Sequence, residues 1–306
     1  MTASHAHDHS QQAGHEHVHP APKGHERALR SAFLLIAAFM FVEAVVGVVA
    51  NSLTLIADAG HMLLDASALG FSWYAVRLSE RESSERLSYG YHRFQVLAAF
   101  VNGLALIALC IGIVIAALAR LKTPATMIAG PALAVAAAGL GVNLIAFRML
   151  HGVEGDLNVQ SAMLHVLGDL LGSVAAIAAA GTVLFTGWPY ADPLLAALVT
   201  AVLLRGAIRV LRDAAHILLE GVPRHLDLEQ IRDRLSAGLT GRAEIHHVHA
   251  WALTMEHPLI TLHARVLDGS DGHEIVGRIK AQLLAEFGLD HSTVQVETGP
   301  CPDDEH

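Results

Sequence analysis

The segment HMLLDASAL, residues 61–69, places a histidine and an aspartate four residues apart inside a long apolar stretch. A second segment, HVLGDLLGS at residues 165–173, repeats the same spacing in similar surroundings. The four ionisable side chains are His61, Asp65, His165 and Asp169. Four residues span about 400° of an α-helix, so the two members of each pair project from one face, a turn apart. Burial of an apolar helix face requires neither residue type, so the repeated pair needs another explanation.

The composition is that of a membrane protein with a smaller soluble part. Of the 306 residues, 53% are hydrophobic and 16% are charged, whereas a soluble domain carries roughly a quarter charged residues. A net charge of −9 argues against nucleic acid as a partner. Two cysteines, Cys110 and Cys301, provide no disulfide framework, but the chain has 21 histidines, the commonest metal-binding residue.

The apolar residues form six blocks that are each long enough to cross a bilayer, which takes about 20 mostly apolar residues. We predict spans at Ser31–Ala50, Leu53–Leu78, Phe94–Ala119, Met127–Leu150, Val159–Phe185 and Pro193–Leu211. The first span is too long for a signal-peptide core of about 7–15 residues, and it contains Glu43. The predicted domains are a disordered His-rich tail (1–30), a transmembrane domain (31–211), a cytoplasmic domain (220–298) and a flexible tail (299–306).

Lysine and arginine in the short loops set the orientation in the membrane. With a cytoplasmic N-terminus, eleven basic residues fall on the cytoplasmic side: Lys23, Arg27, Arg30, Arg77, Arg81, Arg86, Arg93, Arg148, Arg205, Arg209 and Arg212. Two, Arg120 and Lys122, fall on the other side. We therefore expect both termini in the cytoplasm and the protein in a bacterial inner (plasma) membrane.

The soluble part reads as helix, strand, strand, helix, strand. LDLEQIRDRLSAGL (226–239) and DGHEIVGRIKAQLLAEF (271–287) have helical periodicity, and Asp271 is a suitable N-cap. EIHHVHAWALT (244–254), LITLHARVL (259–267) and STVQVE (292–297) alternate like strands. This order predicts a small α+β domain with an open sheet and helices on one face.

The N-terminal tract alternates histidine with other residues. Its histidines are His5, His7, His9, His15, His17 and His19. Such a composition is typical of metal-binding segments, and a solvated, weakly chelating tail is the alternative interpretation.

The paired motifs fit a metal site inside the membrane. Ionisable residues at membrane depth normally face the protein interior or a wet cavity. If the second and fifth spans face each other, they offer two imidazoles and two carboxylates, which suit tetrahedral Zn²⁺. Interhelical histidine–aspartate hydrogen bonds are the alternative, and the repeat of the pair at similar depth argues against it. Other polar residues at membrane depth are candidates for a supporting, pathway or plain packing role: Glu43, Asn51, Asp58, Asn102, Asn143 and Asp192. Of these, we predict a supporting or pathway role for Glu43, Asp58 and Asn102.

These patterns together resemble the cation diffusion facilitator family, in particular its zinc-transporting branch. The stretches that carry the resemblance are SLTLIADAGHMLLDASAL (52–69), YGYHRFQVLAAFVNG (89–103), NVQSAMLHVLGDLLGS (158–173), YADPLLA (190–196) and LLEGVP (218–223). Either His-x-x-x-Asp motif alone is weak, but both in this context are specific. The resemblance implies an α-helical membrane protein, a homodimer of six-span protomers, each with a cytoplasmic ferredoxin-like domain.

The resemblance also implies Zn²⁺ export from the cytoplasm in exchange for protons. The implied transport site is His61, Asp65, His165 and Asp169. Members with aspartate in place of the first histidine accept Cd²⁺ more readily, so His61 indicates a preference for zinc. Some members have a further metal site between the second and third spans; here that loop retains His92 as its histidine, so we expect no such site.

Members of the family often bind zinc between their cytoplasmic domains. The residues here at comparable places are His249, His263, His273 and Glu297. Alternation predicts that His247, His249 and Trp251 share one face of the first strand, opposite His263 on the next. Solvated polar sheet faces are the alternative.

Proton coupling also follows from the residues. Metal ligands must be deprotonated, so protons and Zn²⁺ compete for the same side chains. Two rival functions remain: a membrane metalloenzyme, and a metal sensor or partner subunit that transports nothing. The chain has no His-Glu-x-x-His motif, and four ligands close a tetrahedron that a catalytic zinc keeps open, so we expect no enzyme. An intact four-ligand site argues against the sensor without excluding it.

Overall fold

A computed structural model of the chain describes residues 23–79, 87–151, 157–255, 257–267, 269–301 and 303. The six predicted metal-binding histidines of the N-terminal tract, His5, His7, His9, His15, His17 and His19, lie outside the described residues.

The described part begins with long helices and ends with a small α+β domain. The long helices are α1 Lys23–Val49, α2 Leu53–Ser79, α3 His92–Lys122, α4 Ala129–His151, α5 Leu157–Thr186 and α6 Ala191–Leu218. The following elements are α7 Leu228–Gly238, β1 Ala243–Ala252, β2 Pro258–Val266, α8 Gly272–Phe287 and β3 His291–Glu297. The prediction of a helical membrane domain followed by a helix-strand-strand-helix-strand domain is confirmed.

Four helical segments in the described residues are long and apolar enough to cross a membrane. They are His92–Lys122, Ala129–Met149, Gly168–Thr186 and Ala191–Leu218. In α1 the comparable apolar segment, Leu34–Val49, is shorter, and α2 carries the ionisable residues of the first motif. The count of six spans therefore stays a prediction.

In the soluble domain, β1 pairs antiparallel with β2, and β2 pairs parallel with β3. Both helices supply apolar side chains to a core on one face of this sheet. Fully buried Ile231 and Leu235 come from α7, and Ile275, Ile279 and Leu283 come from α8. The opposite face is left for polar side chains.

A β-bulge interrupts the alternation of β1. His246 pairs with His263, but the next paired residue, His249, lies opposite Thr261, so two residues of β1 face one residue of β2. Within the bulge, His247 has a left-handed backbone with φ of 48°. A bulge shifts the phase of a strand by one residue. His246 therefore shares the polar face with His249, although strict alternation places them on opposite faces.

A carboxylate of α6 caps the start of α2. Asp192 accepts hydrogen bonds from the backbone N–H groups of Leu53 at 2.7 Å and Thr54 at 3.1 Å. It also accepts from the hydroxyls of Ser52 at 2.9 Å and Thr54 at 2.8 Å. Arg120, at the end of α3, donates to the same carboxylate at 3.2 Å. Asp192 thus joins three helices at one end of the bundle.

The same arginine fastens the turn between α1 and α2. Arg120 donates to the carbonyl oxygen of Asn51 at 2.7 Å and to its side-chain oxygen. Asn51 has a φ of 53°, which asparagine tolerates better than most residues. Its amide donates to the carbonyl oxygen of Thr126 at 3.2 Å, just before α4. Five helix ends therefore meet in one network.

Asp192→Ala should destabilise the membrane domain strongly. It leaves the largely buried Arg120 without its anion, and removing one partner of a buried pair costs about 3–5 kcal/mol. Thermal unfolding of the purified protein in detergent measures this as a lowered midpoint. Asp213→Ala, on the same helix with a more exposed pairing to Arg224, is the matched control and should change little. Equal effects of the two variants would contradict the capping role.

Candidate metal centres

The first predicted pair forms a contact on α2. His61 Nε2 lies 3.3 Å from Asp65 Oδ2, and the two side chains are 16% and 22% exposed. Neither side chain is fully enclosed, although the preceding turns of α2, through Asp58 and Ala59, are buried. The pair therefore lies just beyond the buried part of α2, and both side chains are partly accessible.

The second predicted pair lies on α5. Asp169 is fully buried. His165 belongs to the same helix, one turn earlier, and its side chain is outside the described part of the structure. The structure therefore gives the backbone position of His165 and no contact for it.

A close contact between α2 and α5 sets the register of the two motifs. A Cβ atom at Gly172 would collide with the carboxyl group of Asp58, so Asp58 rests directly on the α5 backbone. The two helices run antiparallel, because α6, which follows α5 after the short connection 187–190, caps the start of α2. His61 follows Asp58 by three residues on α2, and Asp169 precedes Gly172 by three residues on α5. Because the helices are antiparallel, His61 and Asp169 lie at the same level. Four more residues on each helix bring Asp65 to the level of His165.

Glu43, Asp58 and Asn102 occupy different environments. Glu43 is 1% exposed and Asp58 is 3% exposed. The charges of Glu43 and Asp169 both act on Asp58. Asn102 lies on α3 and is partly buried. Two of the three predicted supporting residues are therefore buried close to Asp169.

The soluble domain brings four potential metal ligands together on the polar face of its sheet. They are His246, His263, Glu297 and Cys301, and one donor atom from each lies within 4.8 Å of all the others. Glu297 bridges the two imidazoles, with Oε2 3.0 Å from His246 Nε2 and Oε1 2.9 Å from His263 Nδ1. Cys301 Sγ lies 3.5 Å from His263 Nδ1. We call these four residues the cytoplasmic cluster.

The surroundings of Glu297 favour its ionised form. Burial alone would raise its pKa, but hydrogen bonds from Cys301 and Gln295 and the charges of His246 and His263 outweigh it. The pKa of Glu297 consequently lies below its ordinary value. Imidazole nitrogen, thiolate sulfur and carboxylate oxygen are the usual ligands of Zn²⁺. Small side-chain movements would close the cluster around such an ion.

Sequence reasoning named two members of the cytoplasmic cluster and two residues outside it. His263 and Glu297 belong to it. His249 is exposed beyond the bulge, and His273 is exposed at the start of α8. His246 was missed because the bulge changes the strand phase. Cys301 was missed because it follows β3 in a segment predicted to be a flexible tail; its nearness to a histidine-rich sheet in space has no local sequence signal.

Comparisons with known proteins agree with this architecture. Residues 29–219 match the cation efflux transmembrane domain, and residues 223–299 match the cytoplasmic domain of cation efflux proteins. The chain belongs to the cation efflux, or cation diffusion facilitator, family and to its zinc branch. It is a multi-pass membrane protein of a metal-efflux family. The prediction of a transporter rather than an enzyme is confirmed.

Three relatives illustrate the range of the family. The zinc transporter ZitB of Escherichia coli (strain K12) is 43% identical over 277 residues, covering 90% of this chain and 88% of that protein. The metal cation efflux system protein CzcD of Cupriavidus metallidurans is 39% identical over 304 residues, covering 98% and 92%. A cadmium, cobalt and zinc/H(+)-K(+) antiporter of Bacillus subtilis (strain 168) is 38% identical over 279 residues, covering 89% of each chain.

Substitution of His263 should weaken zinc binding by the cytoplasmic domain. In full-length protein carrying Asp65→Ala, His263→Ala or Cys301→Ser should lower the affinity for zinc by at least about tenfold, because each removes a ligand. Competition with a fluorescent chelator measures the affinity. His273→Ala, in the same domain and outside the cluster, is the control. Equal losses in the His263 and His273 variants would show that the cluster binds no metal.

Proposed function

We propose that this protein exports Zn²⁺ from the cytoplasm by proton antiport. The transport ligands are His61, Asp65, His165 and Asp169, and Zn²⁺ and protons are the two substrates. The observation that carries the proposal is the contact of Asp58 with Gly172, because it sets both His-x-x-x-Asp motifs at one level of two antiparallel helices. The contact of His61 with Asp65 and the full burial of Asp169 support the same site.

The ligand set accounts for exchange with protons. Two imidazoles and two carboxylates provide four donors for a tetrahedral Zn²⁺. Unperturbed histidine changes its charge at about pH 6.5, so such a site loads zinc at cytoplasmic pH and takes up protons where the solution is more acidic. Reprotonated ligands then return without metal. Each cycle moves zinc outward and protons inward.

The direction of transport depends on orientation. The Lys/Arg bias favours cytoplasmic termini, which places the network of Asp192 and Arg120 on the far side and the soluble domain in the cytoplasm. In this arrangement the network joins the helices on the side where zinc leaves. A bacterial inner membrane and a homodimer held partly by the soluble domains complete the proposal.

The cytoplasmic cluster and the N-terminal histidines have a supporting role in this proposal. Tyr89, just before α3, meets His291 at the start of β3 with ring centroids 6.3 Å apart, and the cluster lies towards the other end of this strand, at Glu297. An ion bound there rigidifies the sheet on which that contact depends. The tract His5–His19 has the role of raising the local metal concentration, and none of its residues is a transport ligand in this proposal.

Zinc movement in proteoliposomes tests the proposal. With the soluble domain facing outward, zinc added outside should accumulate inside when the lumen is acidic, and protons should leave as it does. Asp169→Asn should reduce accumulation to background because it removes a charged ligand, while Asp233→Asn, at an exposed position on α7, should transport normally. Wild-type accumulation that ignores the pH gradient would overturn antiport. Zinc binding without any transport would favour the sensor.

His61→Asp should broaden metal selectivity. It replaces an imidazole with an oxygen donor, whose shorter side chain and second oxygen suit a larger ion such as Cd²⁺. The ratio of Cd²⁺ to Zn²⁺ transport should rise by about fivefold or more, which corresponds to about 1 kcal/mol. Parallel uptake assays with both metals measure it, and His273→Asp serves as the control. An unchanged ratio would show that His61 does not set selectivity.

A further inference from the structure

Three buried side chains in the membrane domain each have an oxygen atom without a hydrogen-bond donor. Glu43 on α1, Asp58 on α2 and Asn143 on α4 are 1%, 3% and 2% exposed. Among the described residues, no donor contacts Glu43 Oε1, Asp58 Oδ2 or Asn143 Oδ1. Buried polar atoms are almost always paired, so three such oxygens in one region point to a ligand.

Glu43 and Asn143 approach each other along α4. Glu43 Oε1 lies 3.5 Å from the place that a Cβ atom at Gly139 would occupy. Asn143 follows Gly139 by four residues, so it stands on the same face of α4, one turn away. The absence of a side chain at Gly139 thus lets the Glu43 carboxyl group reach the α4 surface beside Asn143.

Asn143 and Asp58 approach each other along α5. Asn143 Nδ2 donates to Ser173 Oγ at 3.2 Å. The preceding residue, Gly172, carries the Asp58 carboxyl group against its backbone. Asn143 therefore lies one helical turn from the Glu43 contact on α4 and bonds the residue next to the Asp58 contact on α5, and its amide oxygen has no donor. Four helices, α1, α2, α4 and α5, surround this point.

The carboxyl groups of Glu43, Asp58 and Asp169 concentrate negative charge around this point. The charge of Glu43 acts on Asp58, and the charge of Asp169 acts on both. Three carboxyl groups in a medium of low dielectric constant cannot all remain ionised without compensation. The guanidinium of Arg120 is engaged by Asp192 and Asn51. A proton or a metal cation taken up from solution is one source of this compensation.

The donor atoms define what this cation is. Two carboxylates and an amide provide oxygen alone, which suits hard cations, whereas Zn²⁺ in proteins favours sites that include nitrogen or sulfur. We propose that Glu43, Asp58 and Asn143 form a second site, distinct from the His–Asp ligands, that binds a hard monovalent counter-ion of transport in addition to the protons taken up by those ligands. The proton and an alkali cation share this chemistry. The inference rests on the antiport proposed above.

Exchange follows from the charge interaction between the two sites. Zinc held by Asp169 places positive charge close to Asp58 and Glu43 and weakens the binding of a cation there. By linkage, a counter-ion bound at the second site weakens zinc binding to the same degree. The second site therefore converts counter-ion binding into zinc release.

The experiment compares Glu43→Gln and Asp58→Asn with wild type and with the exposed control Glu229→Gln in proteoliposomes. One arm imposes a pH gradient with choline as the supporting cation. The other clamps pH and imposes a sodium or potassium gradient. Zinc accumulation and counter-ion flux are recorded together, and zinc affinity is measured in detergent. Glu43→Asp, which keeps a carboxylate, tests for rescue and separates lost binding from lost folding.

In the neutral variants we expect zinc affinity within about threefold of wild type and a clear loss of counter-ion moved per zinc. Glu43→Asp should restore part of that coupling, and the arm that drives the wild type identifies the ion. Wild-type coupling that persists unchanged in Glu43→Gln and Asp58→Asn overturns this inference alone. Wild-type accumulation indifferent to every gradient overturns antiport and this inference together. Coupling that is lost in Glu43→Gln and stays lost in Glu43→Asp, with zinc affinity also lost, assigns Glu43 to folding and overturns the inference.

Discussion

A carboxylate buried among apolar helices must find hydrogen-bond donors or a cation, and this requirement organises the membrane domain. Asp192 finds donors: four hydrogen bonds from the start of α2 and one from Arg120. Glu43 and Asp58 do not find enough of them among the described residues. The first carboxylate gives the bundle a fixed end, and the others lie near Asp169, one of the proposed metal ligands. The carboxylate with hydrogen-bond donors has a structural role, and the two without them are those we propose for transport.

Glycine controls how closely α2 approaches α5 and α3. Gly172 lets Asp58 rest on α5, and Gly60 lies against Leu109 of α3 with almost no room for a Cβ atom. Backbone approach of this kind is typical of membrane helices, where association depends on packing rather than on the hydrophobic effect. Because the two His-x-x-x-Asp motifs have the same spacing, the single contact of Asp58 with Gly172 aligns all of their residues at one level of the bundle. Small residues beside a motif consequently indicate how closely its helix packs against a neighbour.

Much of the fold could be predicted from the sequence, because helix length, hydropathy and strand alternation are local properties. The six long helices and the order of the soluble elements agree with those patterns. The cytoplasmic cluster could be predicted only in part. His246 depends on a bulge that alternation ignores, and Cys301 reaches His263 through the fold. The capping role of Asp192 was also invisible, since its donors lie 138–140 residues away.

That separation along the chain has a consequence for biosynthesis. Ser52, Leu53 and Thr54 leave the ribosome long before Asp192, and at about 5–20 residues per second the interval is roughly ten seconds. During this time the start of α2 exposes backbone N–H groups that have no cap from α6. The helix carrying His61 and Asp65 therefore takes its final position only after the last membrane helix has been made. A nascent chain interrupted before α6 contains the first motif but lacks the anchor that fixes its helix.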